Sequence, residues 1–149
     1  MSIEEELEQK RFFDVYQKAH INVMYSANWL IEQTKQVLVT FNITHQQYNV
    51  LRILKGRYPE SCSACDIKEV MIDKGPDLTR LIDRLIIKKY VTRTVCEENR
   101  RKLDITITDQ GMILIKKIGP RMKRKFIENT TITKNEAIEL NNILDKMRS

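Results

Sequence analysis

The sequence predicts a mainly α-helical protein carrying one small β-hairpin in its second half. Three features predict it. Apolar residues recur every three or four positions over most of the chain, and the period drops to two between Val91 and Thr108. Only four glycines and three prolines interrupt 149 residues, which leaves little room for linkers. A chain of this length suits one domain with its own core, and 42% apolar with 31% charged residues is globular composition.

Residues 4–39 step through Phe12, Tyr16, Ala19, Val23, Ala27, Leu30 and Val37, with Thr34 filling the gap. That spacing predicts one long helix. An apolar stripe of such length is hard to cover inside a small chain, so a partner or a second long helix is expected against it. The opening MSIEEELEQK is acidic and polar, unlike a signal or transit peptide. No run approaches the roughly 20 apolar residues that span a bilayer. A cytoplasmic protein with no membrane partner is the expectation.

Thr44 with Gln47 forms a capping-box pattern that opens a second helix, its buried side Tyr48, Leu51 and Leu54, ended by Gly56 and Pro59. A short helix through ACDIKEVM follows, with Ile67, Val70 and Met71 inward. DKGP is a turn, and Pro76 suits the first turn of the next helix.

On that helix, from Asp77 to Lys88, Leu78, Leu81, Ile82 and Leu85 make the buried stripe. Arg80, Arg84 and Lys88 line another side at four-residue spacing, with Asp77 and Thr79 near the N-terminal end. VTRTVC and KLDITIT then read as two strands, with Leu103, Ile105 and Ile107 on one face. EENRR between them is the polar tip of a hairpin. Thr108–Phe126 reads as a long helix bent at Gly119-Pro120, since Pro120 lacks the backbone donor. TKNEAIELNNILDKM closes the chain, capped by Thr133 and Glu136, with Ala137, Leu140, Leu144 and Met147 aligned.

A short helix, a turn and a basic helix make a helix-turn-helix, whose second helix enters the major groove of DNA. The residue types fit. Arginine presents a planar fork for guanine or phosphate, and the Thr79 hydroxyl and methyl suit a base edge. Asp77 would repel phosphate, so it caps the helix, accepts from a cytosine amine, or holds an arginine. Glu98 to Arg101 put two arginines at the tip of the hairpin directly after that helix. Together they describe a winged helix, its wing reaching phosphate or the minor groove. The net charge of +6 lies wholly beyond residue 60, which agrees with a polyanionic partner without deciding it.

LTRLIDRLIIKKYVTR followed by ENRRKLDITITDQG resembles the recognition helix and wing of MarR-type regulators (multiple-antibiotic-resistance regulators), and NITHQQYNVLRIL resembles that family's second helix. The family's wing pattern falls on Asn99, Arg101, Leu103, Ile105, Ile107, Thr108 and Gly111. The resemblance implies a winged helix-turn-helix homodimer, mainly α with a small β-hairpin wing. It implies one domain over 1–149, with dimerisation helices at 1–40 and 112–149 around a DNA-binding lobe at 41–111. It further implies a repressor on a pseudopalindromic operator in double-stranded DNA, released by a small aromatic or phenolic ligand, without a cofactor. The DNA-binding residues it implies are Pro76, Asp77, Thr79, Arg80, Arg84, Asn99, Arg100 and Arg101. Two positions depart from the pattern. Asn99 stands where an aspartate is usual, and Lys89 stands where a glycine often follows the recognition helix, at a cost of roughly 1 kcal/mol if the left-handed turn is kept.

Cys62, Cys65 and Cys96 are an odd number without secretory context, which argues against a disulfide framework. Cys62 and Cys65 form a Cys-x-x-Cys with no second pair, so no metal site is expected. A thiol redox sensor built on them is one alternative, and a winged helix used for protein contacts is another. His45 reads as a cap or surface residue; His20 fits either a ligand cleft or water. Tyr25 and Trp29 read as core or dimer packing, with a ligand cleft as the alternative. The basic run at Lys116, Lys117, Arg121, Lys123, Arg124 and Lys125 reads equally as phosphate contacts or as a solvated surface. No nucleophile–base order, carboxylate pair or phosphate-cradling loop points to an enzyme.

Overall fold

The computed structural model describes residues 2–9, 11–95 and 103–149. Seven α-helices and a two-stranded antiparallel sheet follow in the order α1 (Ile3–Glu6), α2 (Val15–Leu38), α3 (His45–Arg57), α4 (Ala64–Val70), α5 (Leu78–Ile87), β1 (Val91–Val95), β2 (Leu103–Ile107), α6 (Asp109–Lys123) and α7 (Lys134–Arg148). Among the described residues no helix is long and apolar enough to cross a membrane.

The first helix departs from expectation. Instead of one helix over 4–39, the chain breaks: Glu8 takes a left-handed conformation and Asp14 starts α2 by accepting from the Gln17 backbone N–H at 2.7 Å. The apolar stripe begins only at Phe12, and no glycine or proline marks the break, so the sequence carried no punctuation there. The short α1 folds back on α2, burying Ile3, pairing Glu4 with Lys18 and accepting a hydrogen bond from the Tyr25 hydroxyl at Glu6 (2.8 Å).

The predicted capping boxes at Thr44/Gln47 and Thr133/Glu136 are both formed, and Ser63 with Asp66 makes a further one on α4. The core gathers Val50, Leu51 and Leu54 of α3, Ile67 of α4, the whole predicted stripe of α5, Ile105 and Ile107 of β2, and Leu114, Ile115 and Ile118 of α6. Three inward assignments change. Tyr48 only packs at the edge of this core, while Val70 and Leu103 are substantially exposed. Gly56 lies inside α3, which runs to Arg57. Pro76 precedes α5, whose cap is Asp77. Pro120 sits within α6 without ending it, and the hydrogen-bond pattern loosens into a π-type turn only at Arg124–Glu128.

The wing strands pair in the register Val91 with Ile107, Arg93 with Ile105 and Val95 with Leu103. Cys62 flanks β2 on its other side, its N–H and C=O each bonding Ile105 at 2.9 Å. The hairpin leaves α5 through a tight joint. Lys89 is left-handed (φ 62°), its N–H bonds the Ile86 carbonyl at 2.8 Å and the Tyr90 N–H bonds the Leu85 carbonyl at 3.0 Å. This is a Schellman motif with lysine in the seat glycine prefers. Thr108 closes the joint: its hydroxyl donates to the Lys89 carbonyl at 2.7 Å, and its N–H donates to the Tyr90 carbonyl at 3.0 Å. The same hydroxyl accepts from the Gly111 N–H at 3.1 Å. Gly111 lies so close that an added Cβ would stand 2.4 Å from the Tyr90 carbonyl oxygen and 2.7 Å from Ile107 Cγ1.

Two substitutions test the joint by chemical denaturation. Gly111→Ala is expected to destabilise by about 1–3 kcal/mol, because backbone must move to admit the methyl group. Lys89→Gly is expected to stabilise by ~0.5–1 kcal/mol by removing a left-handed side-chain penalty.

Candidate nucleic-acid interface

Two helices and a turn set the position of α5. The turn from Met71 to Asp77 is held to α3 by Asn49, whose side-chain oxygen accepts from the Ile72 N–H at 3.0 Å, and is tightened by Asp73 accepting from the Gly75 N–H at 3.0 Å. Leu78, Leu81, Ile82 and Leu85 then bury one side of α5. The opposite side turns outward with Thr79, Arg80 and Arg84 exposed and Pro76 half-buried just before the helix. Asp77 takes the capping role: it accepts from the Arg80 N–H at 3.3 Å, and its other oxygen pairs with the Arg80 guanidinium, also at 3.3 Å. That arginine side chain remains about four-fifths exposed, free to exchange the carboxylate for another acceptor.

Lys88 leaves the predicted row of cations. Its ammonium donates to the Asn42 carbonyl, tying the C-terminal end of α5 to the turn after α2. Two residues not singled out by the sequence join the site. Asp83, one turn beyond Thr79, pairs with Arg93 of β1 at 2.9 Å. The sequence marked Arg93 only as part of a strand, and its partner, ten residues earlier on a helix, carried no local signal. Asn99, Arg100 and Arg101 lie outside the described residues.

Part of the basic run on α6 has structural work. Arg121 donates to the Thr40 hydroxyl at 3.2 Å and stands 5.1 Å over the Phe41 ring, and Lys123 pairs with Glu128 at 3.2 Å. Lys116, Lys117 and Arg124 are exposed.

Cys62 is buried, and burial pushes its thiol pKa up, the opposite of what a reactive thiolate needs. Cys65 is exposed on the first turn of α4. Among the described residues no group of His, Cys, Asp or Glu is arranged to hold a metal ion.

A second feature lies behind the interface. A cleft of about 800 Å³ opens between α2, α3, α6 and the turn leading to α5. Leu30, Ile53, Met122 and Phe126 line it with apolar surface, and His45, Arg52 and Asp73 add polar groups. His20 and Trp29, by contrast, are exposed. Partial burial lowers the pKa of His45 below its ordinary 6.5; Lys35 acts in the same direction, and Asp73 and Glu32 oppose it.

No family model matches the sequence. The relatives are nonetheless of one kind. SarZ of Staphylococcus aureus, an HTH-type transcriptional regulator, is 30% identical over 120 residues, which are 80% of this chain and 78% of SarZ. PapX of Escherichia coli, also an HTH-type transcriptional regulator, is 29% identical over 85 residues, 57% of this chain. Those residues are 52% of PapX, so the matched region spans about half of that relative. Among solved structures, a MarR transcription factor from Planctomyces limnophilus superposes with a TM-score of 0.68 at 29% identity, covering 93% of this chain and 98% of that one. A mutant MarR from E. coli complexed with operator DNA gives 0.76 at 22% identity, covering 90% and 98%. The fold and these relatives together define a DNA-binding transcriptional regulator. The chain belongs to the MarR family of transcriptional regulators.

His45 supplies a pH test. Its lowered pKa means that the unfolded chain binds more protons near and below pH 6.5, so stability present above that pH is lost as pH falls. Melting temperatures followed from about pH 7.5 to about pH 5 are expected to fall less steeply in His45→Gln than in the unaltered protein.

Proposed function

We propose that this regulator acts in the cytoplasm as a homodimeric repressor, occupying a pseudopalindromic operator and leaving it when a small apolar ligand enters the cleft. The observation that carries the reading is the outward face of α5, where Thr79, Arg80 and Arg84 stand exposed on a helix whose other side is locked into the core. Thr79 and Arg80 meet base edges near the helix start, Arg84 follows one turn on, and Pro76 and Asp77 shape the entry to the groove. Asn99, Arg100 and Arg101 serve as the wing's contacts to phosphate and minor groove.

Unpaired apolar surface supports the dimer. On α2, Val15, Tyr16, Met24 and Trp29 are each more than half exposed. On α7, Ile138, Leu140, Ile143 and Met147 are exposed, and the helix buries none of its residues. Leu140, Ile143 and Met147 share one side of α7, and exposed apolar patches of that kind mark association sites. Residues 1–40 and 112–149 would then form the dimer, and residues 41–111 the reading lobe. A two-fold dimer sets two α5 helices against half-sites roughly 34–36 Å apart.

The cleft supports release. It touches both the long α2 and the turn that leads into α5, so an aromatic or phenolic ligand filling it alters the spacing of the two reading helices. Release requires that the ligand bind the non-operator form more tightly.

Purified protein titrated onto its own upstream DNA, with random DNA as competitor and salt varied, tests the reading. Competitor-resistant binding with a steep salt slope is expected; binding no tighter than to random DNA would refute operator recognition there. Arg80→Ala is expected to cost about 1–3 kcal/mol on the operator, and Arg84→Ala to reduce the salt slope by about 1 where it meets phosphate.

A further inference from the structure

We infer that Arg93 is a positioning residue for DNA reading: its ion pair with Asp83 ties the outer wing strand to α5 and neutralises a carboxylate beside the base-reading residues. The inference rests on α5 being the DNA-reading helix. Its evidence is the uneven anchoring of the two wing strands. The inner strand, β2, buries Ile105 and Ile107 and is hydrogen-bonded on its far side to Cys62. The outer strand, β1, buries only Val91, and Thr92 through Val95 are exposed. Thr92 bonds Thr106 at 2.8 Å, so beyond Val91 the described part of β1 is held through β2 and not by a core contact of its own.

Arg93 adds a direct tie from that strand to the helix. It shares the face of Ile105, its register partner, and its guanidinium reaches Asp83 of α5 at 2.9 Å. Both side chains are one-third to one-half exposed, so the pair contributes little to global stability. Its effect is local. Asp83 follows Thr79 by four residues and Arg80 by three, which places its carboxylate on the flank of the reading face. Left unpaired there, it would repel phosphate and compete with DNA for Arg80. Held by Arg93, it does neither.

The test uses the full chain as unaltered protein, Arg93→Gln, Arg93→Lys, Asp83→Asn and the Arg93→Gln/Asp83→Asn double variant. Each is titrated with a duplex enriched by the unaltered protein from a random-sequence library, and with unselected random duplex, alongside its melting temperature. Arg93→Gln is expected to lower the ratio of selected to random affinity roughly tenfold with little change in melting temperature. Asp83→Asn in the same chain should restore part of that ratio by removing the lone carboxylate, and Arg93→Lys should retain most of it. Equal loss on both duplexes, a double variant no better than Arg93→Gln, or a melting temperature that falls in step with affinity would overturn the inference. If the unaltered protein enriches no sequence at all, the reading of α5 fails and this inference falls with it.

Discussion

The joint between α5 and the hairpin is the constraint on which the rest depends. Within one small volume the carbonyls of Lys89 and Tyr90 take hydrogen bonds from Thr108, and Thr108 in turn caps α6 through Gly111. One threonine therefore fixes three elements relative to one another: the end of α5, the root of the wing and the start of α6. The close approach of the Tyr90 carbonyl explains why glycine stands at position 111. The same joint tolerates a lysine in a left-handed turn, because two backbone hydrogen bonds and the Thr108 hydroxyl all hold that turn in place.

A second knot joins the reading lobe to the long helices. The turn after α2 receives Lys88 at its Asn42 carbonyl, while Arg121 lies over Phe41 and bonds Thr40. Both ends of α5 are thus referred to other parts of the chain, the N-terminal end through Asn49 and the turn before it, the C-terminal end through Asn42. The turn after α2 and the end of α5 are therefore joined by a polar contact as well as through the core.

Much of this was legible in the sequence, for identifiable reasons. The stripe of α5 obeys a strict three-and-four spacing around a continuous core, and Leu78, Leu81, Ile82 and Leu85 are buried as that spacing demands. Capping boxes are local, with both partners three residues apart, so Thr44 and Thr133 were found correctly. Errors arose where the deciding contact is distant or where no residue type marks a break. The gap between α1 and α2 contains neither glycine nor proline to mark it. Lys88 keeps its place in a four-residue row, yet its partner lies forty-six positions earlier. Arg93 and Asp83 meet only once the hairpin has folded over the helix. The departure at Lys89 was visible, and the structure resolves it: the left-handed turn is kept.

The uneven anchoring of the wing strands bears on solubility. Among the described residues nothing pairs with the outer side of β1, so its backbone donors and acceptors face water as an open template for another strand. Thr92, Thr94 and Val95 are good strand formers and would invite such pairing. In the described residues the strand runs from Val91 to Val95, with the charged Arg93 at its midpoint. A charge at the middle of an open edge disfavours edge-to-edge pairing of two such chains.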